Sequence, residues 1–116
     1  MMAKPMAHAR NNVKRWGGKA EDYVDIHDFL DGPKQVHATM KFRAVFHHAY
    51  GIFLAEKFFG RELVNSDGKR VSVRDIAEAH VIEDLGFIPS LDEYLQCMEI
   101  KPWMAGVKRA IMKVVD

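Results

Sequence analysis

Histidines and carboxylates occur close together in two stretches of this chain. His47 and His48 are adjacent in a run rich in apolar residues, and His80 is followed by Glu83 and Asp84. Residues four apart on a helix share one face, so His80 and Asp84 point in the same direction. Such a pair can bind one metal ion, or the carboxylate can fix the imidazole tautomer for acid–base chemistry. The same pairing also satisfies a buried histidine for purely structural reasons.

A complete metal site needs ligands from several elements, because no single motif here supplies one. The chain contains no HExxH, no CxxC and no Glu-x-x-His pair. Helical bundles build such sites from three or four side chains on separate helices. We expect a site that combines His48 or His47, from the long helix predicted at 34–59 (the spine), with a second group of side chains: His80, Asp84 and Glu83. His27 or His8 would complete it. His48 is slightly preferred over His47 because it is nearer the centre of an apolar face. Zinc is the first expectation for the ion, and iron, manganese or nickel are the alternatives.

If the site is catalytic, metal-assisted hydrolysis is the expected reaction class. A bound ion lowers the pKa of a water, and a nearby carboxylate takes its proton. Glu83 is the expected base, and Arg43 or Arg74 the expected anion clamp. No residue pattern identifies a substrate.

The composition predicts one globular domain over residues 1–116. The chain is 48% hydrophobic and 28% charged, with a net charge of +1, so no global field attracts nucleic acid or an anionic membrane. The single Cys97 excludes an internal disulfide and fits a reducing compartment. No run approaches the ~20 apolar residues of a membrane helix. We therefore expect a cytoplasmic protein without membrane or nucleic-acid partners.

The apolar spacing predicts a mainly α fold, a compact helical bundle around one long central helix at 34–59. The turn residues around NSDG predict one small β-hairpin at 62–73. The other helices are expected at 5–16, 21–30, 73–85, 91–98 and 104–115.

The predicted central helix is apolar on two sides. Phe42, Phe46 and Phe53 form a stripe nearly opposite its main apolar face. A helix of this kind is either central in its own domain or shared with a partner subunit. We expect a homo-oligomer, with a dimer as the first candidate. The alternative to a metal protein is a non-catalytic oligomeric accessory protein, of a phage or its host, whose histidines form a structural core network.

Several segments in order resemble a small uncharacterised family, a domain of unknown function met in bacteria and bacteriophages. The resemblance covers nearly the whole chain and rests on the segments VKRWGGKAEDY, IHDFLD, FRAVFHHAYGIFLAEKFFG, NSDGKRVSVRDIAEAHVIEDLGFIPS and PWM. It implies no particular activity.

Overall fold

A computed structural model describes residues 4–106 of the chain. In chain order its regular elements are α1 (Pro5–Trp16), α2 (Val24–Asp31), α3 (Arg43–Phe46), α4 (Ala49–Phe59), β1 (Glu62–Val64), β2 (Arg70–Ser72), α5 (Val73–Leu85) and α6 (Leu91–Leu95). Short 3₁₀ helices occupy Ala20–Asp22, Gly32–Gln35, Met40–Phe42 and Pro102–Ala105. The mainly α class and the small hairpin are thus confirmed, whereas most of the helix expected at 104–115 lies outside the described residues.

None of the helices in the described part has the length and apolarity that a bilayer crossing requires.

The single central helix predicted over 34–59 is wrong. The chain instead passes through the two 3₁₀ helices at 32–35 and 40–42 and then through two separate α-helices, α3 and α4. The hydroxyl of Thr39 accepts a hydrogen bond from the backbone N–H of Lys41 and so starts a new turn. The spacing of apolar residues cannot reveal such a cap, because the same helical spacing continues on both sides of the break.

The break between α3 and α4 has a defined local cause. His48 is extended and caps α4, since its Nδ1 accepts from the backbone N–H of Gly51 at 3.0 Å. The N–H of Ala49, the first residue of α4, donates to the carbonyl of Pro89 at 2.9 Å. A Cβ at Gly51 would lie 1.9 Å from the carbonyl oxygen of Phe46, so only glycine allows the two helices to meet this closely. The bend turns His47 into the core.

The hairpin is tied to the segment that follows α1. In the antiparallel ladder Leu63 faces Val71. Three hydrogen bonds of 2.8 Å hold its turn. Asp67 accepts one from the N–H of Gly18, and the N–H and hydroxyl of Ser66 both donate to Asp22. These bonds place a ribbon that is too small to be stable alone against the helices.

The remaining predicted helices are found close to their expected bounds. Ser72 caps α5, which ends at Gly86 in the left-handed conformation (φ 82°). Ser90 and Glu93 form the expected capping box of α6, which ends earlier than predicted, at Leu95.

The core lies between α1, α2, α4 and α5, and it contains an unusual number of polar groups. Its apolar part is built around Tyr23, Leu30, Ile52, Ile76 and Val81. Beside it lie the buried polar side chains His8, Asn12, His27, Asp31, His47, His48, Asn65 and His80. Buried polar groups must pair with one another, so their arrangement determines what this part of the core can do.

Candidate metal centre

Four buried side chains from three parts of the fold bring one ligand atom each to a common point. Asp31 is the last residue of α2, His47 lies in the break after α3, and His80 and Asp84 are one turn apart on α5. Their four atoms all lie within 4.8 Å of one another, a set that could hold a metal ion.

Five of the six distances between these atoms are 3.4 Å or less. Nε2 of His47 lies 3.1 Å from Nε2 of His80, 3.0 Å from Oδ2 of Asp84 and 3.4 Å from Oδ1 of Asp31. Nε2 of His80 lies 3.1 Å from Oδ1 of Asp31 and 3.3 Å from Oδ2 of Asp84. Both imidazoles therefore direct the same nitrogen to the same two carboxylate oxygens.

Asp84 uses its two oxygens for different neighbours. Oδ2 faces the two histidines of the cluster, whereas Oδ1 lies 3.3 Å from Nε2 of His8 and 3.8 Å from Nη2 of Arg43. The pair of basic groups on Oδ1 fixes the plane of the carboxylate, and Oδ2 then points to the centre. Outer partners of this kind orient ligands in metal sites generally.

The electrostatics of the cluster keep its carboxylates ionised. Burial alone would raise the pKa of Asp31 and Asp84, but hydrogen bonds from the histidines outweigh it and hold both pKa values well below their ordinary range. Burial likewise opposes protonation of His47, yet its contacts with Asp31 and Asp84 raise its pKa above the ordinary value. A proton on His47 is thus the natural competitor of a cation at this point.

A chain of hydrogen bonds behind His80 determines its tautomer. Nε2 of His27 donates to Oδ1 of Asn12, which leaves Nδ1 of His27 as an acceptor. Nδ1 of His80 lies 2.8 Å from that acceptor and donates to it. Burial, with the nearby His80 and His8, lowers the pKa of His27 to about 2, so this ring stays neutral. When His80 is also neutral, its Nε2 carries a lone pair that faces the cluster.

His8 separates the predicted base from the four ligand atoms. Its Nδ1 lies 2.7 Å from Oε1 of Glu83, which also accepts from Nδ2 of Asn11 at 3.1 Å. Burial lowers the pKa of His8, but contacts with Asp84 and Glu83 raise it by more. The fold therefore brings Glu83 to the edge of the site, where its side chain is 31% exposed, and not into the cluster.

The fold places the other predicted site residues as follows. Arg43 is at the site, beside Asp84, whereas Arg74 pairs with Glu78 on the surface at 3.2 Å. His27 lies behind His80. His48, the preferred spine ligand, is not brought to the cluster, because its Nδ1 caps α4 and its Nε2 faces the carbonyls of Ala44 and Val45. His47 is the spine residue that joins it.

Two residues of the site escaped the sequence analysis. Neither was among the predicted ligands: Asn12 lies within the helix predicted at 5–16, and Asp31 directly follows the helix predicted at 21–30. The signal for Asp31 was present, because it is four residues after His27 and one turn along the same helix face. Nothing in the local sequence points to Asn12.

A surface cavity of about 460 Å³ reaches one ligand. Asp31 lines it together with Pro5, Asp28, Gly32, Lys34 and Gln35. Asp31 is 9% exposed, compared with 4% for the side chain of Asp84 and 0% for both histidines. It is therefore the ligand nearest to solvent.

One family model, described as a domain of unknown function (DUF6915), matches residues 3–104. The match agrees with the resemblance to an uncharacterised family and does not bear on the individual motifs or on a bacterial or phage origin. No curated protein matches the chain. No solved structure matches it.

Proposed function

The chain belongs to the DUF6915 family, whose description assigns no function, and we propose from its geometry that it is a divalent-metal-binding protein. The ligands are Asp31, His47, His80 and Asp84, and zinc is the first candidate ion.

The observation that carries this proposal is the close spacing of the four ligand atoms. The five distances between histidine nitrogens and their neighbours in the cluster span 3.0 to 3.4 Å. A tetrahedron with edges of about 3.3 Å has its centre about 2.0 Å from each corner, which is the length of Zn–N and Zn–O bonds. Two imidazoles and two carboxylates are also ligands that zinc accepts.

Protons alone satisfy this arrangement poorly. A proton on His47 Nε2 is shared among Asp31, Asp84 and the lone pair of His80, so at least one contact between acceptors is left. A dication at the centre attracts all four atoms at once. Its charge also balances the two buried carboxylates, which otherwise repel each other in a region of low dielectric.

A site with four protein ligands is of the closed, structural kind. Zinc centres that hold structure together have four protein ligands, whereas catalytic ones keep a position open. Here the ion would connect α2 through Asp31, the α3–α4 break through His47, and α5 through His80 and Asp84. Metal binding would then contribute directly to the free energy of folding.

Metal-dependent hydrolysis is the second candidate, and the exposure of Asp31 favours it. Asp31 borders the 460 Å³ cavity, so water or a substrate oxygen could replace this ligand. The bound ion would then supply an activated water. Glu83, at the partly exposed edge, would accept its proton through His8, and Arg43 would hold an anionic substrate beside Asp84.

The first experiment is elemental mass spectrometry of tag-free protein prepared without chelator. We expect close to one equivalent of zinc or another transition metal, and a fall in Tm after dialysis against EDTA. His80→Ala should abolish metal binding and leave a folded protein of lower stability. His37→Ala is the matched control, because His37 is exposed and, among the described residues, its ring hydrogen-bonds only to Thr39.

The two candidates differ in what metal-loaded protein does to substrates. Loaded protein should hydrolyse a panel of phosphoesters in the second case, and Glu83→Gln should abolish turnover without removing the metal. Full metal content in His80→Ala would refute the ligand assignment. Wild-type protein that carries no metal and does not respond to added ions would make the cluster a hydrogen-bond network.

A further inference from the structure

A broad apolar groove lies on the side of the fold formed by residues 28–46 and α6. Its volume is about 1260 Å³. The lining is mostly apolar: Phe29, Pro33, Val36, Met40, Phe42, Ala44, Val45, Phe46, Tyr94, Cys97 and Met98. Val36 is 91% exposed and Met40 54%, so within the described chain these side chains have little cover. An exposed apolar patch of this size commonly marks an interaction site.

The same chain carries an apolar arm that leaves the fold at one end of this groove. The arm is residues 99–106, and it follows directly on Cys97 and Met98 of the groove lining. Every residue of the arm is exposed, with Ile100 at 81% and Trp103 at 51%. Its described backbone hydrogen bonds stay within the arm, from the N–H of Met104 to the carbonyl of Lys101 and from the N–H of Gly106 to that of Trp103. The groove and the arm are thus two apolar surfaces that the described fold leaves uncovered.

We propose that the arm of one copy binds in the groove of a second copy, and that the reciprocal contact makes a two-fold symmetric dimer. Because the arm starts beside the groove, a two-fold axis near Cys97 would place the arm of each copy at the groove of the other. Such an interface repeats the same contact twice, as isologous interfaces do. This proposal is independent of the metal site.

The exposed apolar surface is large enough for such a dimer. The side chains concerned are Val36, Met40, Val45, Met98, Ile100, Trp103 and Met104, all more than 40% exposed. Together they present on the order of 800 Å² per protomer, the area that each partner of a standard-sized interface buries. A central tryptophan beside aliphatic side chains is also typical of the residues that dominate binding energy.

Charges of both signs lie at the groove and on the arm. Asp28, Lys41 and Glu93 belong to the groove lining, and the arm carries Glu99 and Lys101, so opposite charges are available for pairing in either direction. In the isolated chain Nζ of Lys101 lies 3.1 Å from Oε2 of Glu99 on the surface. Because exposed ion pairs are weak, Lys101 can readily leave Glu99 for a carboxylate of the partner.

The test is a complementation experiment on the full chain by analytical ultracentrifugation. Wild-type protein should sediment as a dimer at micromolar concentrations, and Val45→Glu (groove) and Trp103→Glu (arm) should each be monomeric. Mixed together, the two variants should form a heterodimer, because the intact arm of the first fits the intact groove of the second. Its Kd should be at least tenfold weaker than that of the wild type, since one contact of two remains. Val64→Glu, on the exposed strand β1, is the control and should stay dimeric.

Each other outcome overturns the proposal. A monomeric wild type would mean that the chain covers its own groove or keeps it for a different ligand. A dimer that survives both substitutions, but not Phe53→Glu, would place the interface on α4 around Phe53, outside the groove. Monomeric variants that do not complement would exclude binding of the arm to a partner. Circular dichroism of both variants, with Met40→Glu as a second groove variant, separates loss of association from loss of folding.

Discussion

Nε2 of His47 and Nε2 of His80 face each other at 3.1 Å, although 33 residues separate them in the chain. His47 reaches this position because α3 ends before it. His80 reaches it on a regular helix, with its ring held from behind by His27. Two nitrogens this close, next to two carboxylate oxygens, form a point where one cation can replace several protons.

Asp31→Asn and Asp84→Asn should both weaken metal binding but should differ in the metal-free protein. Among the described residues, the carboxylate of Asp84 lies within 4 Å of His8, Arg43, His47 and His80, whereas that of Asp31 pairs only with the two histidines of the cluster. In EDTA the Tm should therefore fall further for Asp84→Asn. Competition with a coloured chelator gives the affinities, and thermal melts give the stabilities. Equal Tm values would contradict the double role of Asp84.

Asn12→Leu should weaken metal binding about 10- to 100-fold, although Asn12 touches none of the four ligand atoms, because outer-shell partners have effects of this size. The change removes the acceptor that fixes the tautomer of His27 and, through it, that of His80. Asn12→Asp keeps an acceptor oxygen at the same place and is the matched control. Chelator competition measures both. If Asn12→Leu binds as tightly as the wild type, the relay does not set the lone pair of His80.

Metal affinity should rise with pH through the range where His47 titrates. Its pKa is raised, so in the metal-free protein its proton adds stability below pH 6.5 and that stability is lost as the pH rises through the folded pKa. Metal binding must displace this proton at low pH and need not do so above the folded pKa. Calorimetry in buffers with different ionisation enthalpies counts the protons released. The expected count is about one near pH 6 and falls towards zero at higher pH. A constant affinity across this range would argue against His47 as a ligand.

Gly51→Ala should destabilise the fold by about 1–3 kcal/mol, as overpacking does. The new Cβ would lie 1.9 Å from the carbonyl oxygen of Phe46 and would force α3 and α4 apart. Because His47 lies in that break, metal affinity should fall as well. Gly32→Ala is the control, since a Cβ there meets nothing within 4 Å, and it should leave the Tm unchanged or slightly raised. Denaturant melts with and without metal measure the two effects.

Asp22→Asn should reduce stability at neutral pH and reduce the protein's sensitivity to acid below pH 3.8. Hydrogen bonds from the N–H of Lys19 and from Ser66 lower the pKa of Asp22. A carboxyl with a lowered folded pKa contributes stability above its ordinary pKa of 3.8, and that contribution disappears as the pH falls through the folded value. The Tm difference between wild type and variant should therefore shrink in acid. A pH-independent difference for Asp22→Asn would contradict the assignment.

The local sequence was sufficient for the elements whose ends are marked by short-range signals. Pro5 and Gly17 bound α1, Ser72 and Gly86 bound α5, and the NSDG turn fixes the hairpin. In each case the residue that begins or ends the element acts on backbone groups within a few positions. The pairing of His80 with Asp84 was predicted for the same reason, since one helical turn joins them.

The tertiary structure alone decided which groups meet that pair. Choosing His47 over His48 depends on a helix break that Gly51 and the distant carbonyl of Pro89 stabilise together. Asp31 joins because α2 packs against α5, and Asn12 because α1 lies behind His27. Long-range contacts of this kind leave no periodic trace in the sequence, since the residues that meet belong to helices that are distant in the chain. The residue types thus determined what chemistry the core could support, and the packing of helices determined where it could occur.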